Sequence, residues 1–142
     1  MGLMSKLLGR DEVQRIHAVV LPGGRDVEVK GEAQYQDALS AICGGKCHDG
    51  YQKKVTAALL PEPGNSYDRN AVQVFVENRL VGYINRDDAA DYSPVLQRML
   101  RKVKATGACD AVIVGGWDRG GGDTGHFGIW LKLAPADAIA RL

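Results

Sequence analysis

Apolar positions in this chain mostly fall two residues apart. Val27 and Val29 alternate with charge in Asp26–Glu32, as in a strand with one buried face. Val55, Ala57 and Leu59 repeat the spacing, and so do Val72, Val74 and Val76. A tight turn at Asn78-Arg79 leads from Val76 into a further strand, "LVGYI". "CDAVIVGGW" (Cys109–Trp117) and "HFGIWLKL" (His126–Leu133) predict two more, joined by the glycine-rich "DRGGGDTG". Val13–Val20 reads as another strand, closed by Pro22-Gly23-Gly24.

Two segments change period. Tyr35, Ala38, Leu39, Ile42 and Cys43 fall at i, i+3, i+4, i+7 and i+8, predicting a helix capped by Gly44. Asn85 to Val103 is helical too, with Asn85 as N-cap and Asp87 and Asp88 suited to the positive end of the dipole. Ser93-Pro94 predicts a restart within it, because proline suits a first helical position. Val95, Leu96, Met99 and Leu100 make its apolar stripe, and "PADAIARL" predicts a short terminal helix.

The sum is mainly β with two helices (α+β): about six strands in a small antiparallel barrel or strongly curled sheet, with helices on an open side. We read residues 1–25 as an N-terminal arm, 26–133 as the domain, and 134–142 as a tail or short helix.

Composition narrows the partners. The formal net charge of the 142 residues is +1, so nucleic-acid binding would rest on a local patch and not on a global field. No apolar run approaches the ~18 residues that span a bilayer. The three cysteines suit a reducing compartment, and the chain reads as cytoplasmic with no membrane partner.

Candidate chemistry thins on inspection. "GGGDTG" (Gly120–Gly125) matches G-x-G-x-x-G, but it precedes a strand and opens no helix, so it reads as a hairpin loop. Trp117 and Arg119 beside it offer a ring and a cation to a ligand. Cys43, Cys47 and His48 form C-x3-C-H without a second half-site, so neither metal nor cofactor is expected. No nucleophile–base motif is present, which argues against an enzyme. "LRKVK" (Leu100–Lys104), with Arg98, reads as cations complementing a helix dipole.

The turn "PEPGNSYDRNAVQVFV" carries more than turn chemistry. Its prolines keep the chain extended, and Asn65, Asp68 and Asn70 can brace the backbone. Tyr67 is left over: it either folds over the barrel mouth or faces a ligand.

The chain resembles the HIRAN domain. The resemblance rests on E-P-x-N-x-Y-D-x-N-A-V-x-V at Glu62–Val74 and V-G-Y-I-x-R at Val81–Arg86. "VKGEAQYQDAL" upstream and the final hairpin downstream extend it. It implies a modified oligonucleotide-binding barrel that captures the 3′ end of single-stranded DNA. By motif position, Tyr67 resembles the aromatic that stacks on the terminal base, and Asp68 the acceptor of the free 3′-hydroxyl. Asn65 and Asn70 belong to the same loop; Tyr83 and Arg86 stand at phosphate-contacting positions. The first-strand aromatic cluster of helicase-type members is replaced by Glu28-Val29-Lys30-Gly31-Glu32. Tyr35 substitutes for it if its ring enters the groove, although its spacing fits the helical core stripe. The implied function is a non-enzymatic module for single-stranded DNA ends, as in repair or fork processing. The alternative is a protein- or small-ligand-binding module on the same barrel.

Overall fold

The computed structural model describes residues 17–142. Its elements are β1 (His17–Val20), β2 (Arg25–Lys30), a 3-10 turn (Glu32–Tyr35), α1 (Gln36–Cys43), β3 (Tyr51–Pro61), β4 (Val72–Val76) and β5 (Arg79–Ile84). They continue with α2 (Arg86–Val103), β6 (Ala105–Gly115), β7 (Phe127–Leu133) and α3 (Ala136–Ala140). Of the expected arm at residues 1–25, residues 1–16 lie outside the described residues, and with them residues 13–16 of the expected first strand.

Six strands close a barrel in the order β6-β3-β4-β5-β2-β7, with β7 returning to β6, all antiparallel. The long β6 serves two neighbours on one edge. From Ala105 to Ala108 it pairs with β1, in parallel, and from Asp110 to Gly115 with β7. Alternate residues face inward, including Val27, Leu59, Val74, Ile113 and Leu131, all fully buried. Leu39 of α1 and Tyr92 and Leu96 of α2 join this core. The buried Tyr92 phenol donates to Ala134 O at 2.7 Å. No helix among the described residues is long and apolar enough to cross a membrane.

Gln36 seals the barrel at α1. Its Nε2 donates to Phe127 O at 2.9 Å and its Oε1 accepts from Phe127 N–H at 2.8 Å, so one side chain acts as a strand partner for β7. Gly82 is needed where β2 crosses β5. Its φ is 151°, and a Cβ there would lie 2.6 Å from Val29 Cγ1 and 2.7 Å from Lys30 O.

Local expectations met two corrections. The β4–β5 turn is Glu77-Asn78, not Asn78-Arg79, with φ of 50° and 68°. Two left-handed residues match strand twist in a two-residue hairpin; asparagine tolerates that region, whereas Arg79 already pairs with Val76. The helix does not restart at Pro94 but runs unbroken through it. Pro94 and Ala90, whose carbonyl loses its partner, are both exposed, so water can satisfy that oxygen. Asn85 caps α2 as expected, accepting from Asp88 N–H at 3.0 Å, and its Nδ2 also donates to Glu28 O of β2 at 2.9 Å. That tie fixes where the helix, and Arg86 at its start, leaves the barrel.

Candidate nucleic-acid interface

The loop between β3 and β4 is closed at its base by Glu62 N–H to Ala71 O, 2.8 Å. Inside it, Asn65 Oδ1 accepts from Tyr67 N–H (2.8 Å) and Asp68 N–H (3.0 Å). Asn65 Nδ2 donates to Glu62 Oε1 at 2.7 Å, which fixes the amide's orientation. Asp68 Oδ1 accepts from Asn70 N–H at 2.9 Å, and Asp68 O from Ala71 N–H at 3.0 Å. The loop is thus held by its own polar groups, and Tyr67 stands on a fixed backbone with its side chain in solvent, 92% exposed. It does not plug the barrel mouth.

Tyr67 overhangs an open groove of about 540 Å³. Asn65 and Asp68 line it from the loop, Tyr83 and Ile84 from β5, and Arg86 from the start of α2. Lys30, Gly31, Gln34 and Tyr35 form the remaining wall. Six of the residues singled out from sequence therefore meet at one place: Tyr35, Asn65, Tyr67, Asp68, Tyr83 and Arg86.

Tyr35 departs from its helical expectation. Gly31, with φ of 81°, ends β2 and opens the 3-10 turn, so Tyr35 precedes α1 and leaves its apolar stripe. Ala38, Leu39, Ile42 and Cys43 continue that stripe against the core. Burial, then the nearby Glu62 carboxylate and Tyr35, push the Tyr83 phenol above its ordinary range. Its hydroxyl lies 3.5 Å from Glu62 Oε1, at the limit of a hydrogen bond.

The charges are divided by position. Arg86 is 83% exposed at its side chain, with Nε 3.9 Å from Asp68 Oδ2, a loose pair that leaves most of the guanidinium to solvent. Lys30 is the partner of Tyr83 in the β2–β5 register and lies 3.2 Å from Glu28. The groove thus offers exposed aromatic surface, a largely covered carboxylate and two cations. Sequence reasoning missed Lys30 and Gln34 as groove residues. Lys30 lies in the segment that replaces the first-strand aromatic cluster, but the sequence does not single it out as a contact; its neighbour across the sheet is 53 residues away in sequence, a pairing that periodicity does not report.

Asn70 braces the loop through its backbone and does not line the groove. Trp117 and Arg119 are not groove residues either. The Arg119 guanidinium lies 5.5 Å from the Trp117 ring centroid, Trp117 Nε1 donates to Asp123 Oδ1 at 3.2 Å, and Gly125 packs against the indole with no room for a Cβ. They fold the glycine-rich loop, which leads into β7. The Cys47 thiol donates to Gly50 O at 3.2 Å, while burial raises the Cys43 thiol. Among the described residues no three His, Cys, Asp or Glu side chains are grouped to hold a metal.

The architecture is a small closed antiparallel barrel with a braced, tyrosine-bearing loop beside an open groove. Residues 30–112 match the family model described as the HIRAN domain, and the chain belongs to that family. The match ends before β7, although the barrel closes only through β7. Among solved structures, the chain is similar to the crystal structure of the HIRAN domain of human HLTF, at 19% identity over 82% of this chain and 83% of that one, TM-score 0.41. It is also similar to a protein from Lactobacillus plantarum, at 18% identity over 77% and 92%, TM-score 0.42. A third is the NMR structure of the HLTF HIRAN domain in its DNA-bound conformation, at 21% identity over 85% of each chain, TM-score 0.39. No curated protein matches.

Proposed function

We propose that this chain is a binding module, without chemistry of its own, for the 3′-hydroxyl end of single-stranded DNA. The observation that carries the reading is Tyr67: its backbone N–H is fixed by Asn65 while its ring stands 92% exposed over a groove that also holds Asp68 and Arg86. Exposing a ring costs apolar burial, and a base repays it by stacking, worth roughly 1–3 kcal/mol whatever its sequence. A carboxylate accepts from a terminal hydroxyl and repels a terminal phosphate, so Asp68 selects the end. Arg86 and Lys30 supply cations for the preceding phosphates. Tyr35 provides the second aromatic in place of the missing first-strand cluster. The DNA task that fits such an end-binder is repair or fork processing.

The test is fluorescence anisotropy with short oligonucleotides ending in 3′-hydroxyl or 3′-phosphate, at low and moderate salt. Tighter binding of the hydroxyl end supports the reading. Equal binding of both ends removes end capture, and binding of neither removes the DNA reading in favour of a protein or small-molecule ligand.

A further inference from the structure

A second concavity lies between the C-terminal half of α2, α3 and β1. It shares no lining residue with the Tyr67 groove. Val19, Val95, Met99 and Ile139 line it, and its volume is about 240 Å³. That is below the ~300–1,000 Å³ of small-molecule pockets, but suits the anchoring side chains of a bound peptide. Val103 and Leu142 also line it while 59% and 76% exposed. Contiguous exposed apolar surface of this kind marks interaction sites.

The charge at its edge has one sign. Of the charged side chains, Arg98 and Lys102 line the groove and no Asp or Glu does. Arg101 and Lys102 lie in the last turn of α2, where the helix dipole accounts for them, but Arg98 lies before that turn. Among the described residues, none of Arg98, Arg101, Lys102 and Lys104 forms an ion pair.

We propose that this groove docks an amphipathic segment of another protein, with apolar residues filling it and carboxylates facing Arg98 and Lys102. Charge complementarity chooses the occupant. The chain's own residues 1–16 carry an apolar run, Leu3, Met4, Leu7 and Leu8, with Lys6 and Arg10 among and beside it. Their carboxylates, Asp11 and Glu12, come only after that run, so seating the run in the groove would set cation against cation. A recessed apolar surface accepts protruding side chains, which a peptide supplies and a bilayer surface does not.

The test selects binders from a displayed library of helical peptides on the full chain, then measures the chosen peptide by anisotropy and methyl NMR. Expected are peptides with apolar residues at i, i+3 and i+4 flanked by Asp or Glu, shifting the methyls of Val95, Met99 and Ile139. Combined Arg98→Glu and Lys102→Glu should weaken them at least ~10-fold and leave oligonucleotide binding unchanged. Selected peptides without acidic bias, affinity indifferent to the charge reversal, or shifts confined to the Tyr67 groove would overturn the proposal. So would two further results: pelleting with phosphatidylserine vesicles that the charge reversal abolishes, and shifts of the same methyls on Leu7→Glu, which would make residues 1–16 the occupant.

Discussion

Asp68 divides its two oxygens between the fold and the groove. Oδ1 accepts from Asn70 N–H at 2.9 Å, and Oδ2 faces Arg86 Nε at 3.9 Å. Asp68→Asn keeps an acceptor for Asn70 and removes the negative charge. Unfolding should change little, while the preference for 3′-hydroxyl over 3′-phosphate ends disappears. Asp68→Ala additionally loses the turn bond, at about 1 kcal/mol. Paired anisotropy and urea titrations separate the two; discrimination that survives in Asp68→Asn would reduce the carboxylate to a turn brace.

Tyr67→Ala should weaken binding to all oligonucleotide sequences alike, by ~1–3 kcal/mol. Its melting temperature should stay that of the parent, because the ring contributes little burial. A loss of stability with no loss of affinity would contradict the groove's geometry as a stacking site.

Lys30→Gln and Arg86→Gln should each flatten the salt dependence of binding. One phosphate contact on a single strand contributes roughly −0.7 to the slope of log K against log salt. Affinity measured across a salt series therefore counts the contacts, and an unchanged slope in either variant removes that cation from the phosphate path.

Gln36→Ala leaves the N–H and C=O of the buried Phe127 without their partners on that side. A loss of about 1–3 kcal/mol is expected in urea unfolding. Gln36 Nε2 also donates to Glu32 O at 2.9 Å, so the turn bearing Tyr35 should loosen and oligonucleotide affinity fall as well. Gln36→Glu keeps the acceptor and loses the donor, and should fall between the two.

Burial pushes the Cys109 thiol up to about 12. The folded chain therefore keeps this proton where the unfolded chain, with a thiol near about 8.5, releases it. This contribution is fully present below the unfolded value and is lost as pH rises from there toward about 12. Urea unfolding across that window should show parent stability falling more steeply with pH than that of Cys109→Ala. Cys109 should also resist thiol reagents until the chain unfolds.

Much of this protein follows from local chemistry in the chain. Alternating Val27/Val29 and Val72/Val74/Val76 report strands with one buried face, because side-chain direction has period two whatever lies opposite. Asn85 reports a helix start and Gly44 a helix end because caps are satisfied within a few residues. Asn65 and Asp68 likewise organise a loop from within, which is why the Glu62–Val74 motif was readable as a unit. Neighbours across the barrel were not readable. Lys30 meets Tyr83 and Phe127 meets Gln36 through strand order and helix departure, which local periodicity does not encode; that Asp68 shares a site with Arg86 came from the family resemblance alone. The tertiary structure alone decided that Tyr35 leaves the α1 stripe for the groove and that Trp117 and Arg119 hold their own glycine loop instead. The sequence by itself determined which faces are buried and which loop presents Tyr67; barrel closure, a long-range register between strands, decided what stands around it.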